Sequence, residues 1–169
     1  MPRILVVYFS RTGHTRRIAE EIAQRCGADV EGIEEPRSRR GFFGYFRSAR
    51  EAYKKVAVEI RPLRHPPSSY DLVVLGTPVW AGHLSSPMRA FLRAHAADIA
   101  SSAIFCTLGG AGADRTFAEM TELLARPPLA SLAVTEGELK RSSYSEKLDE
   151  LVKKLGSELR SPDPARASG

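Results

Sequence analysis

The chain has 169 residues and 18.6 kDa, which at ~100–200 residues per domain is one domain, and its 43% hydrophobic and 27% charged residues exclude a disordered chain. Its two cysteines, Cys26 and Cys106, are too few for a disulfide framework or a zinc site, and the longest apolar run, residues 4–9, is too short to span a bilayer. The net charge of +5 is concentrated: residues 36–66 hold nine Lys/Arg and two Glu, a local +7, and the remainder carries −2, which excludes a uniformly basic protein built to coat nucleic acid.

The first element is the apolar, β-branched run at residues 4–9, a strand buried on both faces. A helix follows over 15–26, with Ile18, Ala19, Ile22 and Cys26 at spacings of three and four. Residues 29–34 form a weaker strand suited to a sheet edge. Residues 42–56 read as a basic amphipathic helix, with Arg47, Arg50 and Lys54 on the side away from the aromatic residues. The next strand is 72–75. A helix over 87–99 opens with Ser86 as its cap and Pro87 in its first turn. A strand at 103–106 leads to a helix over 114–126, capped by Asp114 and stopped by Pro127 and Pro128. A strand at 132–134 precedes the last helix, 143–159, where Ser143 and Glu146 have the spacing of a capping box.

Five strands alternate with five helices. Parallel crossovers are right-handed and cover both sheet faces, so the expected fold is α/β, a three-layer sandwich around a five-stranded parallel sheet in order 2-1-3-4-5. One domain is expected over residues 1–160, with 161–169, rich in Pro, Ser and Ala, as a flexible tail.

Ligands of such sheets bind beyond the carboxyl ends of the strands where the strand order reverses, here between strands 1 and 3. Strand 1 runs into Ser10, Arg11, Thr12, Gly13, His14 and Thr15. These hydroxyls and a glycine open a helix, whose free N–H groups suit an anionic phosphate. The loop has neither the Gly-Lys-Ser/Thr ending of a Walker motif nor a GxGxxG pattern, and Ser/Thr clusters also cap ordinary helices. Strand 3 runs into Pro78, Val79, Trp80, Ala81, Gly82 and His83, and strand 4 into Thr107, Gly109, Gly110 and Gly112.

These three loops, in order and on the right strands, resemble those of the flavodoxin family, and the resemblance covers residues 2–159. It implies the flavodoxin-like fold and bound FMN. Ser10, Arg11, Thr12, Gly13, His14 and Thr15 would then surround the phosphate. Pro78, Val79, Trp80, Ala81 and Gly82 would border the isoalloxazine ring. Thr107, Gly109, Gly110 and Gly112 would line its pyrimidine and ribityl side. The flavin carries the chemistry, so no side chain is required to be catalytic; His83 is the only one placed to assist near the ring. Cys106 reads as a small apolar filler and Arg115 as solvated.

Two functions fit this resemblance. One is an FMN-dependent oxidoreductase passing electrons from NAD(P)H to a quinone or similar small acceptor. The other is a flavodoxin-type module shuttling electrons between redox partner proteins. Shuttle flavodoxins typically surround the flavin with acidic residues and cover one ring face with a third-loop tyrosine. Here the chain is basic and has no aromatic between Leu108 and Thr116, which favours the enzyme. A receiver domain would need acids, and a cysteine-loop phosphatase a cysteine, where residues 10–15 have neither. The expected location is cytoplasmic, with no nucleic-acid partner; the basic 36–66 segment is a solvated face or a landing surface for an acidic partner, an anionic dinucleotide or a membrane.

Overall fold

The computed structural model describes residues 1–35 and 58–161. Its elements in chain order are β1 (Ile4–Tyr8), α1 (His14–Cys26), β2 (Asp29–Gly32), β3 (Leu72–Trp80), β4 (His83–Leu84), α2 (Ser86–His95), β5 (Ser102–Leu108), α3 (Ala113–Leu124), β6 (Ser131–Thr135), α4 (Glu136–Arg141) and α5 (Ser145–Arg160). The sheet order is β2-β1-β3-β5-β6, every neighbour parallel, which is the expected 2-1-3-4-5. The two-residue β4 adds an antiparallel pair to the end of β3.

Alternation along the central strands divides the apolar residues between two cores. Val6 of β1 and Leu72 and Val74 of β3 face Ile18 and Ile22 of α1 and Leu148, Leu151 and Leu155 of α5. Leu5, Val7, Val73 and Leu75 face Phe91 and Leu92 of α2 and Met120 and Leu124 of α3. Because β1, β3 and β5 are covered on both faces, their sequences read as unbroken apolar runs.

Several boundaries differ from the sequence reading. β3 continues through Gly76, Thr77 and Pro78 to Trp80 rather than stopping at Leu75. Glycine and proline suggested a loop, but Gly76 and Pro78 pair in register with Phe105 and Thr107. β2 stops at Gly32. The cap of α2 is Ser85, with Ser86 already helical, and α2 ends at His95 before a 3-10 turn at Ala96–Asp98. Gly112, not Asp114, caps α3, which ends at Leu124. α5 begins at Ser145 after Tyr144, without a side-chain cap, so Ser143 and Glu146 form no capping box. The capping box lies instead at Thr135 and Glu138, opening the unforeseen α4. The expected helix at 42–56 and residues 162–169 of the expected tail lie outside the described residues.

The chain re-enters beside β2 through a buried carboxylate. Glu31 accepts the backbone N–H groups of Arg64 and His65, both at 3.2 Å, and lies 2.7 Å from His65 Nδ1. Arg61 donates its N–H to Glu34 O at 2.8 Å and pairs with the Glu34 carboxylate at 3.0 Å. Of the basic residues in the 36–66 segment, Arg61 thus holds this edge of the sheet with its guanidinium, and Arg64 holds it through its backbone N–H. No helix among the described residues is long and apolar enough to cross a membrane.

Candidate functional site

The carboxyl ends of β1, β3, β5 and β6 open on one cleft of about 260 Å³. That is close to the lower end of ligand pockets, ~300–1,000 Å³. Arg11, Thr12, His14 and Thr15 line it from the first loop. Pro78, Val79, Trp80 and Ala81 line it from the end of β3, and Thr107 and Gly109 from β5 and the turn after it. Ten predicted site residues therefore meet in one place. The other five sit around its rim: Ser10 and Gly13 line a groove toward β2, and Gly82, Gly110 and Gly112 line one at the start of α3.

The first loop ends at Gly13, which enters α1 at φ +97°. An L side chain would be strained there, and an added Cβ would stand in open space. Helix geometry leaves the N–H groups of the first turn without intrahelical carbonyls, and Gly13 has no side chain to cap them. Ser10 Oγ accepts the Gly13 N–H at 3.1 Å and so shapes the loop from within. Thr12 is exposed at the cleft rim, whereas Thr15 is buried and hydrogen-bonded to Thr107 Oγ1 at 2.7 Å. That bond ties the first turn of α1 to β5. Arg16 and Arg17 turn to Glu20 and Glu21 on their own helix, at 2.7 and 3.4 Å.

The second wall is a hairpin where the sequence suggested a loop. Val79 pairs with Leu84 and Trp80 with His83, and the two residues between them, Ala81 and Gly82, have φ of +49° and +77°. Left-handed conformations at both centres belong to type I′ hairpins, for which Asn-Gly is the preferred pair. Ala81→Asn is therefore expected to stabilise the protein by about 1 kcal/mol, read as a higher thermal midpoint. A lower midpoint would contradict the strain assigned to Ala81. Trp80 meets Phe9 edge-to-face at a ring separation of 5.4 Å.

The third wall is nearly bare. Cβ atoms added to Gly109 or Gly110 would touch nothing within 4 Å. Gly112 is different, because its Cβ would lie 2.7 Å from Gly82 Cα, so the third loop packs on the hairpin turn backbone to backbone. Cys106 is buried within β5, and burial with the nearby Asp114 carboxylate pushes its thiol up to about 12, leaving it protonated and inert.

His83 does not line the cleft. Its ring is buried, with Nδ1 2.5 Å from Glu119 Oε1. Asp114 and Arg115 stand in the first turn of α3, on the neighbouring groove. Sequence reasoning missed Leu108 and Glu136 in the cleft wall. Glu136 was findable, since β6 also ends at the carboxyl edge and Thr135 and Glu138 mark a helix start there.

The fold is shared with solved flavoproteins. A flavoprotein from Lactobacillus acidophilus, solved in complex with FMN, superimposes with a TM-score of 0.70 over 85% of this chain and 99% of that chain, at 19% identity. An NADH:FMN oxidoreductase in its apo form gives 0.61 over 98% of this chain and 93% of that chain, at 14% identity. An NAD(P)H dehydrogenase (quinone) from Cupriavidus metallidurans is 30% identical over 95 residues, 54% of this chain. The match spans about half of that relative, 46% of its length. The family model described as flavodoxin matches residues 3–155. With the sheet order, the three loops at its carboxyl edge and this match over most of its length, the chain belongs to the flavodoxin family.

Proposed function

We propose that the cleft binds FMN and that the protein is an oxidoreductase passing electrons from NAD(P)H to a quinone or similar small acceptor. The carrying observation is the cleft's two unlike ends. An uncapped helix N-terminus flanked by Thr12 and Thr15 suits a phosphate, and the same cleft is lined by the Trp80 indole and by Gly109, beside which an added Cβ would stand in open space, leaving room for a flat ring. Family membership and the FMN complex of the Lactobacillus acidophilus flavoprotein support the cofactor. Similarity to the quinone dehydrogenase supports the donor and acceptor. Bound FMN would supply the hydride and electron chemistry. The chain's own part is to hold the phosphate with the first loop, wall the ring with the hairpin, and keep the third loop free of bulk so that a second flat molecule can approach.

The purified protein is expected to be yellow and to release FMN on denaturation. A colourless protein that takes up no added FMN would sink the reading. With FMN bound, NAD(P)H oxidation on adding a quinone is the expected activity. Reduction only through a separate reductase protein would instead assign a shuttle. Thr12→Val removes a hydroxyl from the rim and should weaken FMN binding by roughly 10- to 150-fold, the worth of a ~1.5–3 kcal/mol hydrogen bond to a charged group. Unchanged affinity in a titration would remove Thr12 from the phosphate site.

A further inference from the structure

Beneath the hairpin lies a cluster of charge that the cleft does not use. Arg89 of α2, Glu119 of α3 and His83 of β4 are 4%, 7% and 9% exposed, and none lines the cleft. Glu119 Oε2 accepts from Arg89 Nη2 at 2.5 Å, and Glu119 Oε1 lies 2.5 Å from His83 Nδ1. Burial opposes the charge on Glu119, but the hydrogen bonds from His83 and Arg89 more than offset it and hold its carboxyl below the usual range. An ionised carboxylate only accepts, so His83 Nδ1 carries the hydrogen and donates it.

Stability alone does not call for such a cluster. Buried ion pairs can often be replaced by apolar residues of similar volume with little loss, whereas removing one member strands the other. What the three residues do have is a place. His83 stands directly opposite Trp80 in the β3–β4 pair, one residue from the Ala81–Gly82 turn. At the base of the hairpin Thr77 Oγ1 and Ser85 Oγ are hydrogen-bonded at 2.8 Å. At its tip Gly82 rests on Gly112, the cap of the helix that carries Glu119. The hairpin is thus fastened to α3 at two points, by backbone packing at the cap and by a charged tie further along the helix.

We propose that Glu119 is a positioning residue for the cleft: through His83 it locks the Trp80 hairpin to α3, so that the second and third loops form one rigid wall. Arg89 anchors the same carboxylate to α2. The function of that wall rests on the FMN reading; its rigidity does not. A loose hairpin would let Trp80 and Ala81 drift from the ring and admit water beside it, whereas the locked one fixes the width of the slot.

Two variants test this. His83→Leu cuts the tie to the hairpin and leaves the Glu119–Arg89 pair intact. The double variant Arg89→Met with Glu119→Leu removes the charge while keeping the site filled. Trp80 is the only tryptophan, so its emission reports the hairpin even without cofactor. Both variants are expected to show stronger iodide quenching of Trp80 than the unmodified protein. Amide exchange at residues 80–82 should be about tenfold faster, with β1 and α1 unchanged, the pattern of local rather than global opening. With FMN added, both should bind it and show a shifted flavin midpoint potential. Unchanged quenching and exchange in either folded variant would overturn the proposal. So would loss of the cooperative thermal transition in both, which would make the cluster a folding element only. If the unmodified protein binds no FMN while the variants still loosen the hairpin, the FMN reading fails and the lock stands.

Discussion

Gly76→Ala is expected to destabilise the protein by about 3 kcal/mol or more, at or above the top of the ~1–3 kcal/mol usual for overpacking a core. Gly76 lies in the middle of the sheet, between Tyr8 of β1 and Phe105 of β5. An alanine Cβ there would fall 2.0 Å from Phe105 Cζ and 2.4 and 2.6 Å from the two Cε atoms. No real contact is that short. Phe105 is fully buried in the core under α1 and α5, so its ring cannot swing into solvent to make room. Strain must then move a strand. Urea unfolding measures the loss, and a loss below about 1 kcal/mol would show that the ring can retreat. Phe105→Leu in the same chain frees part of the volume and should recover part of the stability, a non-additivity expected of residues in contact.

Gly112→Ala is expected to weaken FMN binding by roughly tenfold or more and to cost about 1–3 kcal/mol of stability. Two effects combine. Gly112 has φ of +102°, where an L side chain is strained, and its added Cβ would meet Gly82 Cα at 2.7 Å and Val79 Cγ1 at 3.0 Å. Gly82 Cα is backbone and cannot rotate aside. The methyl would therefore part the third loop from the hairpin and widen the slot between them. Gly110→Ala is the control, because its Cβ would meet nothing within 4 Å; its stability should stay within about 0.5 kcal/mol of the unmodified protein. Thermal melts and flavin titrations of both variants give the answer. Equal stability losses in the two would refute the role given to the Gly82 contact.

The parallel strands were legible because burial on both faces leaves a continuous apolar run, as in residues 4–9 and 103–106. Where other forces set the boundary, pattern reading stopped short. Gly76 and Pro78 punctuate the sequence like a turn, yet Gly76 is a glycine because Phe105 occupies the space its Cβ would need. The hairpin carries Ala-Gly where Asn-Gly would have announced it. Ser143 and Glu146 have capping-box spacing, but so do Thr135 and Glu138, and only the second pair makes the bonds. Most of the cleft was visible because the rule that selects it, strand ends at a reversal of strand order, needs only the order of elements. The cluster of His83, Arg89 and Glu119 was not. Glu119 lies 30 residues from Arg89 and 36 from His83 and meets them through tertiary packing, which no local spacing encodes.

The hydroxyls of Thr15 and Thr107 have one hydrogen each and share a single bond. One hydrogen closes that bond, and the other is left to point outward. Both residues line the cleft, so the pair offers one outward donor, at whichever end is not donating inward. An anion seated at the start of α1 draws the Thr15 hydrogen to itself, and Thr107 must then donate to Thr15. The oxygen of Thr107 is left facing the cleft as an acceptor only. Filling the α1 side of this pair thereby sets the hydrogen-bonding polarity of its β5 side, by the turn of two O–H bonds and with no movement of the backbone.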